Sequence, residues 1–375
     1  MLQRVPDLTR MDIANDSGNV PSALPTITVV VPARNEAQDI AATLNSLLDS
    51  SLIELEIIAV DDRSEDQTGA IMDAIAITAT ARGKKLRVLH VTQLPQGWLG
   101  KTHAMALAAQ HATGKWLLFT DADVRFREDA LRRAIAFAVS SGADHFVLMP
   151  TLEFKTAGER MMLAFIQVMA NFSVRLWHVP DPDARRDAIG IGAFNLIRRD
   201  VYDALGGWES FRMEVVEDLT MGMRIKQRGF AQRVAVGQGL IRLRWANGAF
   251  GVVANLAKNL FAVFRFRVLL LIGFLPIFLL FTLFPFAAAF DGAGARWGTA
   301  VMLFAVVLAY QRQADYQPFS AWEALSFPAA STLMFYTLLR SMIVVLARGG
   351  ISWRGTFYPM SELRKQSVAR DELAS

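Results

Sequence analysis

Short apolar runs that break off at acidic clusters constrain this chain of 375 residues more than any other feature. Thr26 to Val31 is β-branched and is stopped by Pro32, Glu54 to Val60 ends on Asp61 and Asp62, and Trp116 to Thr120 ends on Asp121 and Asp123. Short apolar runs bounded by turn formers read as buried strands. Leu86 to Val91 and His145 to Met149 extend the series. Between them lie stretches with helical spacing. Ala37 to Leu48 repeats Ile40, Leu44, Leu47 and Leu48 on one face, and Gln67 to Ala81, His103 to Ala112 and Glu128 to Ser140 follow. Strands alternating with helices predict an α/β domain, a mainly parallel sheet with helices on both faces. Ligands of such sheets bind beyond the carboxyl ends of strands. The stretch Pro32 to Glu36, the pair Asp61 and Asp62, and the pair Asp121 and Asp123 all gather there.

The rest of the chain changes character. Ala157 to Trp177 is an apolar-rich helix with Met161, Met162, Phe165, Met169 and Phe172, suited to core packing or to a face near a bilayer. Glu217 to Gln227 is a helix closed by Gly229. Phe250 to Phe266 carries Leu256, Leu260, Phe261 and Phe264 beside Lys258, Arg265 and Arg267, the pattern of a helix lying in a membrane interface. Val268 to Phe290 has no charge and reads as a membrane span bent at Pro276 and Pro285. Phe327 to Ala347 reads as a second span despite Arg340, which snorkels or meets an acceptor head group. Gly298 to Tyr310 is about 20 Å long as a helix and fits a short span or a re-entrant piece. The expected layout is a mobile leader over 1–24, a catalytic domain over 25–248, an interfacial helix over 249–267, a transmembrane region over 268–347 and a polar tail over 348–375. Basic residues flank both ends of the apolar region, which puts both flanks on the cytoplasmic side and requires an even number of spans. Three apolar segments give an odd number, so the span count stays open.

Composition excludes several classes. An apolar share of 53% and a charged share of 20% argue against overall disorder. With no cysteine, disulfides, thiolate catalysis and zinc–cysteine sites are out. The net charge of +4 suits anionic lipid or phosphate ligands. No dense basic patch interleaved with aromatics is present, so no nucleic-acid partner is expected. No Gly-x-Gly-x-x-Gly follows the first strand, which disfavours a dehydrogenase. Residues 1–24 hold no apolar core of signal-peptide length, so the catalytic domain is expected in the cytoplasm.

The acidic clusters suggest chemistry. Asp121 and Asp123, one residue apart beyond a strand, can hold one Mg²⁺ or Mn²⁺ and leave positions for phosphate oxygens and water. Asp61 and Asp62 can bond a base and ribose, or form a solvated turn with Ser64 and Asp66. Glu36 has the same two readings, ligand contact or helix cap. Arg34 and Lys101 can meet phosphate, with Gly97 and Gly100 allowing close backbone approach. Glu217 and Asp218 open a helix, where a carboxylate can serve as general base or as a cap. Arg242, Arg244 and Trp245 can grip a diphosphate and pack against a sugar, or anchor the chain at an interface.

In order along the chain stand VVPARNE (Val30 to Glu36), VDD (Val60 to Asp62), TDAD (Thr120 to Asp123), VED (Val216 to Asp218) and RLRW (Arg242 to Trp245). This series resembles family 2 glycosyltransferases of the GT-A fold. It is most similar to their membrane-bound branch, with ceramide glucosyltransferases, carotenoid glycosyltransferases and hopanoid-associated glycosyltransferases. GWLGK (Gly97 to Lys101) and WRGTFYP (Trp353 to Pro359) look like features of the same branch. The resemblance covers about residues 25–360 and implies roles. Pro32, Arg34, Glu36, Asp61, Asp62, Lys101, Asp121, Arg244 and Trp245 would bind the donor. Asp121 and Asp123 would hold a Mg or Mn cation, and Asp218, with Glu217 beside it, would be the base of an inverting displacement. Ile241 stands where the family's Gln-x-x-Arg-Trp motif has glutamine, which leaves open how the donor end of the site closes. The expected activity moves one sugar from a nucleotide-sugar, of the UDP type, to a membrane lipid hydroxyl, in an integral protein of the bacterial inner membrane. A processive polysaccharide synthase and a non-catalytic membrane-binding module are the alternatives.

Overall fold

The strand and helix alternation is realised in a computed structural model, which describes residues 5–11, 24–52, 54–290, 292–313, 317, 319–353 and 355–364. Contacts divide the chain into two compact units. The first takes Met1–Thr151 and Val174–Leu243, and the second takes Leu152–Ser173 and Arg244–Ser375.

In the first unit β1 (Ile27–Ala33), α1 (Ile40–Leu48), β2 (Leu55–Asp62), α2 (Thr68–Ala81), β3 (Lys85–Val91), α3 (Gly100–His111), β4 (Trp116–Phe119), β5 (Val124–Phe126), α4 (Ala130–Ser140) and β6 (His145–Leu148) follow in order. The two-residue β7 (Thr151–Leu152) marks the point where the chain passes to the second unit, which opens with α5 (Ala157–Ser173). The chain then returns for β8 (Asn195–Arg198), α6 (Arg199–Ala204), α7 (Glu217–Gln227), β9 (Gln232–Ala235) and β10 (Ile241–Leu243). The main sheet has the order β3-β2-β1-β4-β8-β6-β9. The β1–β2, β1–β4, β2–β3 and β6–β9 pairs are parallel, while β8 runs antiparallel to β4 and β6. Strand β1 is buried along its whole length, as its β-branched run requires.

Pro32 does not end the first strand as expected; it lies inside β1, in register with Val60. The β1–β4 register stops at Val30 opposite Phe119, so at Pro32 the strand has β2 alone beside it and the missing N–H interrupts no ladder toward β4. Under the sheet, Val30, Ile58, Leu117, Phe119 and Ile197 pack on Trp208 and Phe211. Phe119 meets Trp208 edge-on with ring centroids 5.0 Å apart.

Part of the expected leader is docked. Leu8 N donates to Val236 O at 2.9 Å and Val236 N to Pro6 O at 2.8 Å, making a parallel bridge just past β9. Val5 and Leu8 are buried, and Arg133 Nη1 donates to Leu8 O and Met11 O at 2.8 and 3.1 Å. Residues 1–4 and 12–23 of the expected leader, and 365–375 of the expected tail, lie outside the described residues.

The second unit contains α5, α8 (Gly248–Val263), α9 (Val268–Thr282), α10 (Phe284–Ala288), α11 (Ala293–Gln313), α12 (Phe327–Arg348) and the hairpin β11 (Gly350–Trp353) and β12 (Thr356–Pro359). Thus α5, inside the stretch 25–248 expected as one domain, groups with the later helices. It ends at Ser173, and Leu176–His178 forms a separate 3₁₀ turn in the first unit. Phe165 of α5 packs against Phe278 and Phe327, with centroids 6.3 and 5.0 Å apart.

The stretch expected as an interfacial helix forms the helix α8, which ends earlier, at Val263, and is held from the side. Ser341 Oγ accepts from Phe261 N at 3.0 Å and donates to Ala257 O at 2.8 Å, taking both partners of one rung of the α8 ladder. Helices α8 and α9 meet at a bend of 117°. There Arg265 and Phe266 both have φ of 55°, and Arg364 Nη2 donates to Phe266 O at 2.7 Å. The run Val268 to Phe290 is not one continuous span, because it breaks at Leu283 before Pro285. Proline has no N–H to give and clashes with the preceding turn, so it restarts a helix better than it continues one. The short segment expected over Gly298 to Tyr310 is instead the core of the long helix α11. Among the described residues two helical runs are long and apolar enough to cross a membrane, Ala293–Arg312 and Trp322–Arg348, or three if the bent pair α8 and α9 counts as one. Leu269, Phe290 and Trp297 are 84%, 93% and 75% exposed, which suits contact with lipid rather than water.

Candidate active site

The site is built at the carboxyl end of the first unit's sheet. Beyond β4, Thr120 Oγ1 donates to Ala193 O at 2.8 Å, and Thr43 Oγ1 donates to Ala122 O at 2.7 Å. These buried bonds fix the turn that presents Asp121 and Asp123. Helix α3 starts at Gly100, earlier than the expected His103, and so brings Lys101 into its first turn. The approach turns at Gly97, whose φ of +79° favours glycine. The helix base is anchored where Leu99 N and Thr102 Oγ1 donate to Arg212 O at 2.8 and 2.7 Å.

From that base Lys101 Nζ reaches Asp121 Oδ1 and Glu217 Oε1, each at 2.7 Å. One ammonium therefore joins residues far apart in sequence: the end of β4 and the start of α7. Burial acts to lower the lysine's pKa, but the charges of Asp121, Glu217 and Asp218 outweigh it and hold it well above the ordinary value. The two partner carboxylates left over behave differently. Loss of water contact, with Asp121, Glu36 and Asp39 nearby, pushes the Asp123 carboxyl up to about 7. Loss of water contact and the adjacent Glu217 push Asp218 up to about 7 as well, against the pull of Lys101. Asp218 Oδ1 accepts from Leu219 N at 2.7 Å, and the helix N-cap is Val216, without a side-chain cap bond. Val216 is thus the N-cap residue, while the Asp218 carboxylate takes a backbone N–H of the first turn, so the capping alternative is met in part.

Two glycines wall the cluster. A Cβ on Gly192 would come within 2.5 Å of Asp121 Oδ2 and 3.1 Å of Lys101 Nζ, and one on Gly190 within 1.8 Å of Asp218 O. The segment carrying them is pinned just ahead of Gly190. Arg175 Nη2 meets the buried Asp187 at 2.5 Å, and the Gln232 side chain bonds both Ile189 N and Ile189 O at 2.9 Å. Sequence reasoning does not single out Gly190 and Gly192. Their only signal is a Gly-x-Gly with no strand pattern around it.

Asp61 and Asp62 end β2 and divide their tasks. Asp61 Oδ1 accepts from Ser64 N at 3.2 Å, and its Oδ2 lies 3.2 Å from His90 Nδ1. Asp62 binds Arg63 Nε and Nη2 at 2.7 and 3.0 Å. Asp66 accepts from Thr68 N at 2.9 Å, so the turn part of the expected alternative is present too. Arg34 Nη2 lies 3.9 Å from Glu65 Oε1, while Glu36 N donates to Thr68 Oγ1 at 2.8 Å. Pro32, Arg34, Glu36, Asp61, Asp62, Lys101, Asp121, Asp123, Glu217 and Asp218 all belong to the first unit. Arg244 and Trp245 belong to the second. There Arg244 Nη2 donates to the buried Glu159 at 2.6 Å, and Glu159 also accepts from Gly248 N at 2.7 Å. Burial would raise the Glu159 carboxyl, but Arg244 and the backbone donors hold it at about 2.

Among the described residues no group of three or more His, Asp or Glu side chains is disposed to hold a metal ion by itself. Asp121 and Asp123 offer two carboxylates, and the upward push on Asp123 marks a place where added positive charge is favourable. That donor set fits a hard divalent cation completed by ligand oxygens and water.

A mainly parallel sheet with acidic pairs beyond its strand ends has the architecture of a GT-A type domain. Residues 28–206 match the family described as Glycosyl transferase family 2. The 4,4'-diaponeurosporenoate glycosyltransferase of Staphylococcus aureus (strain MRSA252) is 24% identical over 226 residues, 60% of this chain and 57% of that protein. The chain thus spans little more than half the length of the curated relatives it matches. The solved mannosyltransferase PcManGT of Pyrobaculum calidifontis, in complex with GDP-Man and Mn2+, is similar in fold, with a TM-score of 0.53 and 19% identity over 88% of this chain and 90% of that one.

Proposed function

We propose that this protein transfers a single sugar from a nucleotide-sugar, of the UDP type, to a hydroxyl of a membrane lipid, with inversion at the anomeric carbon. One observation carries the reading: Lys101 draws Asp121 and Glu217 together at 2.7 Å each, which sets the metal-side and base-side carboxylates around one point. In the reaction the acceptor oxygen attacks the anomeric carbon as the bond from that carbon to the phosphate oxygen breaks. The electron pair leaves with the nucleoside diphosphate, and the acceptor proton passes to Asp218. Asp121 and Asp123 would hold a Mg or Mn cation. When bound, such a cation neutralises charge growing on the departing diphosphate. Lys101 would add a positive charge beside it, and Asp61, Asp62 and Glu36 would meet the nucleoside.

The relatives support the substrate classes. One is named for glycosylating 4,4'-diaponeurosporenoate, and the structural neighbour holds GDP-Man and Mn2+. The apolar helices of the second unit support an integral membrane protein, and we place it in the bacterial inner membrane with the first unit in the cytoplasm. Arg244 and Trp245 remain in this reading as donor-side residues, Arg244 being positioned by Glu159. The test is turnover of radiolabelled UDP- and GDP-sugars by the full chain in lipid vesicles, with and without EDTA. Labelled lipid that disappears with EDTA and returns with Mn²⁺ is expected. Label appearing as long polymer, or no transfer from any nucleotide-sugar, would overturn the proposal.

A further inference from the structure

Lys101 does more than a phosphate-binding lysine needs to do. Its Nζ makes two close contacts with carboxylates of different elements, both at 2.7 Å. The contact on Asp121 falls on a carboxylate that the proposed function assigns to the divalent cation. A lysine there is a compact point charge on a flexible stem, able to change partners without moving the backbone. The base of that stem is fixed, because Arg212 O holds both Leu99 N and Thr102 Oγ1. The Gly192 backbone closes the other side, since even a methyl group there would press on Asp121 and on Nζ. The ammonium and a divalent cation at Asp121 therefore repel one another across a confined space.

We propose that Lys101 is a tethered counter-cation: it occupies Asp121 in the nucleotide-free protein, competes there with the divalent cation, and is handed to the diphosphate when the donor arrives. The inference rests on the assignment of Asp121 and Asp123 to the metal. It accounts for why acidic side chains can stand together before any ligand is bound. It also makes cation binding depend on nucleotide, because only a diphosphate offers the lysine a new anionic partner.

The experiment titrates Mn²⁺ into the full chain in detergent, read by electron paramagnetic resonance of free Mn²⁺, first without nucleotide and then with UDP or GDP. Lys101→Met and Lys101→Gln are compared with the unsubstituted protein, and thermal unfolding identifies any variant that fails to fold. Without nucleotide, both variants are expected to bind Mn²⁺ about tenfold or more tightly, since one like charge at close range is gone. With Mn²⁺ present, both are expected to bind the preferred nucleotide more weakly. In Lys101→Met combined with Asp123→Asn the gain in Mn²⁺ affinity is expected to vanish. Equal Mn²⁺ affinity in the lysine variants and the unsubstituted protein would overturn the counter-cation. If Asp123→Asn alone still weakens Mn²⁺ binding in that case, the metal assignment survives. If Asp123→Asn changes nothing, alone or combined, the metal assignment falls and the counter-cation with it.

Discussion

The pair Asp121 and Asp123 after β4 and the pair Glu217 and Asp218 at the start of α7 come from different parts of the chain, yet they are arranged alike. In each, one carboxylate is held by Lys101 at 2.7 Å, and the other is left beside its neighbour with its pKa pushed up to about 7. The likeness is electrostatic. Burial is the first cause for both, and a single ammonium cannot neutralise four carboxylates, so the two it does not touch become reluctant to ionise. The difference lies in what relieves each. In the proposed reaction a cation would relieve Asp123, whereas Asp218 would take a proton, as a general base does. On that proposal, proximity to Lys101 divides the residues that hold the site together from those that would change state during turnover.

Substitutions can break this comparison. Asp218→Asn should have the largest effect, lowering kcat by about 10²–10⁴-fold, the usual worth of a positioned base. Nucleotide affinity by calorimetry should stay unchanged, and a rate loss that merely tracks lost nucleotide affinity would place the base elsewhere. Asp123→Asn should lower turnover at limiting Mn²⁺ by about a hundredfold, with circular dichroism unchanged, because a ligand charge is lost without a change of volume. Normal turnover in that variant would remove Asp123 from the metal site. The pH profile comes next. Asp218 has a raised pKa, so it is protonated and idle below about 7 and ionised above it. The kcat should therefore fall by about tenfold per pH unit on the acid side of that value, and the residual rate of Asp218→Asn should lack this limb. Glu217→Gln should be mildest, about tenfold or less in kcat, because Asp121 still holds Lys101. A Glu217→Gln loss as large as that of Asp218→Asn would erase the distinction between the two members of the pair.

Legibility in the sequence follows the same division between local and distant. Strands β1 to β4 are bounded by prolines, glycines and acidic turns, and their expected and observed ends lie close together. Asp121, Asp123, Glu217 and Asp218 are each readable from a short motif. Their meeting through Lys101 is not, because it depends on where α3 begins and on a sheet that places β4 near α7. Gly190 and Gly192 are explained only by what a Cβ would strike. In the second unit the difficulty is uniformity. Val268 to Phe290 is apolar on every side, so no face shows where the helix breaks. Helix α11 is longer than its hydrophobic run, because the run is cut by Arg296 on one side and by Gln311 and Arg312 on the other while the helix continues through them. Helix α5 reads as apolar, but its partners in the later helices lie a hundred residues and more downstream. Cutting the chain after Phe250 would leave Phe165 without Phe278 and Phe327.

The bridge between Pro6–Leu8 and Val236 bears on how the molecule keeps to itself. Strand β9 is last in the sheet order, and an open sheet edge offers unpaired N–H and C=O groups to any other chain. The N-terminal segment pairs at Val236, where that line continues just past β9, buries Leu8, and is tied down by Arg133. It works as a stopper against strand-to-strand stacking between copies. Starting the chain at Leu24, a natural choice for a designer guided by hydropathy, would pull the stopper and leave an edge on which copies can grow by adding strands.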